Sequence, residues 1–169
     1  MKYAIIGSGK IGAALARSFA RKNIEVAIAN SRGPETRASL TGELGPGAFP
    51  QSIQDACEAE MIFLAVPFPA HRDVAKQFEQ WNGKIVVDLT NALHVAPEER
   101  GGLLSSEVVS QAFVGARLVK AFNHLPAAQL GTNPSVEGQR QVVFLSSNDA
   151  DASATVAAVA AQLSLASLQ

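Results

Sequence analysis

Lys2-Tyr3-Ala4-Ile5-Ile6-Gly7-Ser8-Gly9-Lys10-Ile11-Gly12 decides the reading of this chain. A short apolar run enters a G-x-G-x-x-G turn, after which Ile11, Leu15 and Phe19 recur at helical spacing. Strand, glycine turn and helix in that order make a dinucleotide-binding turn. Gly7 permits a sharp reversal of the chain. Gly9, lacking a Cβ, lets a pyrophosphate approach the backbone, and Gly12 lets the helix pack closely on the strand. The free N–H groups of the first helical turn then face the phosphates with the positive end of the dipole. Gly7, Ser8, Gly9, Lys10, Ile11 and Gly12 are therefore the expected phosphate cradle.

The rest of the chain supports one α/β domain. Its 169 residues suit a single domain with a substantial core, and 47% of them are hydrophobic. A formal charge of -1 argues against nucleic acid as a partner. The longest apolar runs, such as Met61 to Pro69, fall well short of the ~20 residues that cross a bilayer, and the N-terminus has no signal-peptide pattern. The expectation is a cytoplasmic protein with no membrane partner. Cys57 is the only cysteine, which excludes an internal disulfide and a thiolate metal cluster.

Six apolar runs read as strands: Lys2 to Ile6, Glu25 to Ala29, Met61 to Val66, Lys84 to Leu89, Arg117 to Phe122 and Gln141 to Ser146, with a short seventh piece at Ala48-Phe49-Pro50. Most are nearly continuous in apolar residues, as expected of a parallel sheet covered on both faces. Helix-like segments lie between them at Lys10 to Lys22, Glu35 to Leu44, Ala70 to Gln80, Ser105 to Phe113 and Asp149 to Leu163. The alternation predicts a doubly wound parallel sheet, the Rossmann fold. Two longer irregular stretches, Thr90 to Gly102 and Gly131 to Arg140, are loops of a length that often carries function.

NAD-binding versions of this fold place an acidic residue at the end of the second strand to accept from the ribose 2′-OH. Here that place holds Asn30, followed by Ser31-Arg32-Gly33. Without a carboxylate nothing repels a 2′-phosphate, while Ser31 and Arg32 supply a hydroxyl donor and a guanidinium to bind it. The expected cofactor is NADP(H), held here by Asn30, Ser31 and Arg32. Arg37, one turn into the next helix, reads first as an exposed helix residue.

Five segments carry a resemblance: residues 4–12, 29–33, Leu64-Ala65-Val66-Pro67, Asp88-Leu89-Thr90-Asn91 and Val119-Lys120-Ala121-Phe122-Asn123. Together they resemble the family of NADP oxidoreductases that use the deazaflavin coenzyme F420, across most of the chain. The same domain is similar to the reductase part of the STEAP metalloreductases and, more remotely, to pyrroline-5-carboxylate reductase. The resemblance implies that Ala65, Val66 and Pro67 lie beside the nicotinamide, with Asn91 and residues 120–123 from neighbouring strand ends. It implies a deazaflavin- or flavin-like co-substrate as the small-molecule acceptor, and a C-terminal strand and segment that complete the acceptor site or a homodimer contact. The sequence ends at Ser164-Leu165-Ala166-Ser167-Leu168-Gln169 with no clear cap, so the expectation is a chain lacking that segment.

Other chemistry finds little support. His71, His94 and His124 share no metal-ligand spacing, and G-x-S-x-G is absent. His94 and His124 read as polar loop residues near the pocket mouth, and Lys120 either orients an acceptor or binds a backbone carbonyl. No catalytic acid, base or metal is expected, because hydride transfer between two cofactors needs chiefly proximity and exclusion of water. The expected activity is NADP-dependent hydride transfer to a deazaflavin- or flavin-like acceptor. The alternative is an NADP(H)-sensing module without turnover.

Overall fold

In the computed structural model the chain runs β1 (Tyr3–Ile6), α1 (Lys10–Arg21), β2 (Val26–Ala29), α2 (Ala38–Leu44), β3 (Ala48–Pro50), α3 (Ile53–Ala56), β4 (Met61–Leu64), α4 (His71–Ala75) and β5 (Ile85–Asp88). It continues through α5 (Ser105–Ala112), β6 (Arg117–Ala121), α6 (Ala127–Gly131), β7 (Ser135–Val136), β8 (Gln139–Arg140), β9 (Val142–Ser146), α7 (Ala150–Gln162) and β10 (Ala166–Leu168). The structure describes residues 1–169 except 133–134 and 137–138, and except the side chains of residues 37, 38, 135, 136 and 139. The side chain of Arg37 thus lies outside the described residues, as does part of the Gly131 to Arg140 stretch.

Eight strands form one sheet in the order β10-β9-β6-β5-β4-β1-β2-β3. Strands β1 to β6 are mutually parallel, with β1 between β4 and β2, so the strand order reverses beside the glycine turn. In an open α/β sheet that reversal opens a crevice at the carboxyl ends of the strands. Alternate strand residues fill two cores. Ile5, Phe63, Val87 and Val119 pack with Leu15 and Phe19 of α1 and Val156 of α7. Ala4, Ile62 and Val86 pack with Ala56, Val74 and Val109 of α3, α4 and α5. A chain of edge-to-face rings, Tyr3 to Phe19 to Phe63 to Phe122, ties α1 to the sheet at centroid distances of 5.5, 5.4 and 6.0 Å.

The sequence expectations hold for the strands through β6, and the structure differs in three places. First, β9 runs antiparallel to β6, and its burial alternates: Val143 and Leu145 are buried, whereas Val142 and Phe144 are 40% and 54% exposed. One wet face goes with an antiparallel pairing rather than a doubly covered parallel strand. Second, Ala166–Leu168, to which the sequence pattern assigns no element, is a strand parallel to β9, with Ala166 opposite Val142. Third, α4 stops at Ala75 rather than Gln80. The indole of buried Trp81 donates to the Ala75 carbonyl (3.1 Å) and satisfies an acceptor that a longer helix would have used.

Past β6, α6 is tied to α1 by side chains. Ser18 Oγ donates to the Leu130 carbonyl (2.7 Å), and Arg21 donates to the carbonyls of Gly131 (2.6 Å) and Thr132 (2.8 Å). At the other end of the sheet Arg117 grips Asp149 with two bonds of 2.6 and 2.7 Å, while Asp149 caps α7 by accepting from Ala152 N–H.

Gly12 is where α1 meets the turn: a Cβ there would lie 1.8 Å from the Gly7 carbonyl oxygen. Gly12→Ala must push the helix off the strand, and we expect a loss of about 3 kcal/mol or more of folding stability, read from urea unfolding without any ligand.

Candidate dinucleotide site

The turn after β1 is set by its neighbours rather than by propensity alone. Gly7 has φ +105, and a Cβ on it would sit 2.2 Å from the Ala65 carbonyl oxygen. Its N–H donates to the Ala29 carbonyl (2.9 Å), and Ala65 N–H donates to the Ile6 carbonyl (2.8 Å), so the ends of β1, β2 and β4 close together. Gly9 is different. It begins α1 in an extended conformation, φ -70 and ψ -167, and nothing lies within 4 Å of where its Cβ would be. Gly7 and Gly12 are thus required by the protein itself, whereas the space over Gly9 is open to a ligand.

The start of α1 also differs from the helix starts that side chains close. Ser52 Oγ accepts from Asp55 N–H at α3, and Asp149 does the same for Ala152 N–H at α7. No side chain caps α1, and its first turn holds no acidic residue. The leading amides, from Lys10 to Gly12, have no intrahelical acceptor, which makes this end a receptor for an anion.

A cavity of about 670 Å³ opens directly in front of this end. Gly7, Ser8 and Gly9 form its floor, Asn30, Ser31 and Arg32 one end, and Ala65, Val66 and Pro67 the wall beside β4. Ser31 and Arg32 are exposed, and Arg32 makes no ion pair among the described residues. Asn30 is only 9% exposed: Nδ2 donates to Ser8 Oγ (3.0 Å) and Thr36 Oγ1 (3.1 Å), and Oδ1 accepts from Arg32 N–H (2.7 Å). Lys10 is exposed at the head of α1, and Ile11 is half-buried against the core. Ser52 and Ile53 at the start of α3, with Asp73, Val74 and Gln77, complete the far wall. Sequence reasoning did not single these out, although the positions just past β3 and β4 are where the strand-end rule would look.

Asn91 is exposed at the end of β5 and does not line this cavity. It pairs instead with Asn123: Asn91 Nδ2 donates to the Asn123 carbonyl (2.7 Å), and Asn123 Nδ2 donates to Asn91 Oδ1 (3.3 Å). Between them Phe122 adopts φ +62 while fully buried, a left-handed turn that brings Asn123 to Asn91. Lys120 is an internal tie. Its Nζ donates to Asp88 Oδ2 (2.8 Å) and to the Thr90 carbonyl (2.9 Å), and Asp88 is completely buried.

The remaining candidates behave as ordinary structural residues. His71 is buried with Nδ1 against the Phe68 carbonyl. His124 Nε2 meets the Val142 carbonyl (3.2 Å), and its ring lies against Phe144. His94 is exposed on its loop. Burial pushes the Cys57 thiol up to about 12, which keeps it protonated and unreactive. Among the described residues no three His, Cys, Asp or Glu side chains gather as a metal site, and no helix is long and apolar enough to cross a membrane.

The sequence profile of the family described as NADP oxidoreductase, coenzyme F420-dependent, matches residues 2–92. The chain belongs to that family. It is accordingly an NADP-dependent oxidoreductase with a Rossmann-type fold. Among solved structures it is similar to the hypothetical protein SMa0349 of Sinorhizobium meliloti, at 42% identity and TM-score 0.94 over 99% of this chain and 83% of that one. A candidate F420-dependent NADP reductase of Arthrobacter sp. FB24 matches at 25% identity and TM-score 0.78, over 99% of this chain and 84% of that one. An imine reductase of Myxococcus stipitatus, solved with NADP+, shares the fold at 17% identity and TM-score 0.68, over 99% of this chain and 55% of that one. The comparison with curated proteins gave no match.

The open space over Gly9 generates a variant that separates folding from binding. Gly9→Val keeps an allowed backbone and its Cβ has no protein atom within 4 Å, so it should cost no more than about 1 kcal/mol of stability. Its methyl groups fill the approach to the α1 amides. We expect a folded protein whose NADPH affinity, by calorimetry, falls below detection.

Proposed function

We propose that this chain binds NADP(H) along the cavity, with the 2′-phosphate on Ser31 and Arg32, and catalyses hydride transfer to or from a deazaflavin- or flavin-like small molecule. The observation that carries the reading is the end of β2: an amide where a carboxylate would select NAD, next to an exposed guanidinium on the cavity rim. The residues fit the cofactor. The uncapped α1 amides would hold the pyrophosphate, and the Ala65-Val66-Pro67 wall would support the nicotinamide. When bound, NADP(H) supplies the hydride, so the protein need supply neither a nucleophile nor a metal.

The protein's own task is then to hold and to exclude. Ser31 and Arg32 fix one end through charge-assisted hydrogen bonds. Val66 and Pro67 present an apolar surface that keeps water from the reacting face. The Asn91–Asn123 pair and the Lys120 tie hold the ends of β5 and β6 still, which keeps the acceptor side in register. Lys120 is engaged with Asp88 and Thr90 O and is not offered as a catalytic acid. The deazaflavin or flavin character of the acceptor is supported by family membership and by the name of the Arthrobacter relative.

The test follows NADPH absorbance with deazaflavin, flavin and ferric chelate acceptors in turn. Reduction of the deazaflavin or flavin is expected. Turnover with neither, in a protein that binds NADPH tightly, would leave a binding module and refute the acceptor.

Cofactor choice has its own check. A hydrogen bond to a charged phosphate is worth about 1.5–3 kcal/mol. Arg32→Ala should therefore weaken NADPH by roughly ten- to a hundredfold and leave NADH nearly unchanged, as read from dissociation constants for both. Equal weakening of the two cofactors would remove Arg32 as the phosphate ligand.

A further inference from the structure

We infer that Asn30 is a positioning residue for cofactor choice: its carboxamide fastens the backbone of Arg32 to the glycine turn, and it acts on NADPH through Arg32 rather than by touching the phosphate. The inference rests on the NADP(H) reading above.

The orientation of the amide follows from its partners. Arg32 N–H can only donate, so the atom facing it at 2.7 Å is Oδ1. Nδ2 must then face the other way, and its two hydrogens meet Ser8 Oγ at 3.0 Å and Thr36 Oγ1 at 3.1 Å. Both donors and the acceptor are engaged inside the protein, in a residue that is 9% exposed. Thr36 Oγ1 passes the chain on to the Gly33 carbonyl at 2.8 Å, and Gly33 N–H returns to the Asn30 carbonyl at 3.4 Å. The loop that carries Arg32 is therefore closed on both sides of Asn30.

These bonds join two parts of the cavity lining. Ser8 lies in the glycine turn that would grip the pyrophosphate, and Arg32 lies on the rim that would meet the 2′-phosphate. The distance between those two phosphates is fixed by the ligand, so an exposed arginine selects NADPH only if its backbone is held at a matching distance from the turn. Asn30 provides that hold. Alanine at this place removes every one of these side-chain bonds, and serine retains at most the short-range one to Arg32 N–H.

The test is a double-mutant cycle on cofactor preference, the ratio of NADH to NADPH dissociation constants, in wild type, Asn30→Ala, Arg32→Ala and the double variant, with thermal unfolding of each. Asn30→Ala should lower the preference about tenfold through NADPH alone, and in the Arg32→Ala background it should change the preference by less than twofold. Additive losses would show that Asn30 contacts the phosphate by itself, and equal weakening of both cofactors would show that it merely supports the turn; either overturns the inference. Should Asn30→Ala not fold, Asn30→Ser carries the same cycle, with the same criterion of non-additivity. A wild type that shows no preference, or an Arg32→Ala variant that retains it, overturns the NADP(H) reading itself, a result distinct from a failed cycle.

Discussion

The contact on which this structure depends is the one between Gly7 and the Ala65 peptide, with no room for a side chain between them. Because β1 and β4 close at that point, α1 can begin immediately above the sheet, and Gly12 then admits it against the Gly7 carbonyl. Two steric requirements within six residues thus aim the positive end of a 12-residue helix at the crevice where the strand order reverses. The third glycine meets no such demand. Its freedom from protein contact gives the motif a division of labour: two positions build the turn, and one leaves space in front of it.

The cavity is chemically polarised along its length. At the β2 end the exposed groups are a hydroxyl and a guanidinium, Ser31 and Arg32, the latter held by its backbone N–H on Asn30 Oδ1. At the β4 end the wall is Ala65, Val66 and Pro67. The charges nearest the β5 and β6 ends, Asp88 and Lys120, neutralise one another, and removing either would leave the other without its partner in a largely buried place. A site arranged this way recognises by charge at one end and offers shape at the other.

Much of this was legible in the chain. The glycine turn, the strands through β6 and the missing carboxylate at Asn30 all rest on local pattern: periodicity, backbone permissiveness and position relative to a strand end. What escaped depends on partners distant in sequence. The end of α4 is decided by Trp81 reaching back to Ala75, the antiparallel course of β9 by its register against Lys120 and Ala121, and β10 by a ladder to Val142, Val143 and Phe144. Three residues with no helical or strand period of their own, Ala166 to Leu168, become a strand only because β9 presents an open edge. The family resemblance implies Asn91 as a cofactor residue, whereas its amide turns to Asn123, a pairing no spacing rule announces.

Asn30 shows where the two kinds of information meet. Asparagine and aspartate are nearly isosteric, so the strand end can be built with either, and sequence registers only the change of charge. The hydrogen-bond inventory changes sign as well: a carboxylate accepts at both oxygens, whereas the amide accepts at one atom and donates twice at the other. With Arg32 N–H on the accepting side, the donors reach the hydroxyl oxygens of Ser8 and Thr36. Thr36 directs its hydroxyl hydrogen to the Gly33 carbonyl and closes the loop. A carboxylate in the same place would draw both hydroxyl hydrogens toward itself and set a negative charge beside the rim. The amide therefore does two things by one substitution of atoms: it leaves the rim without a negative charge, and it adds donors that tie the Arg32-bearing loop to Ser8 and Thr36 while Oδ1 keeps its hold on Arg32 N–H.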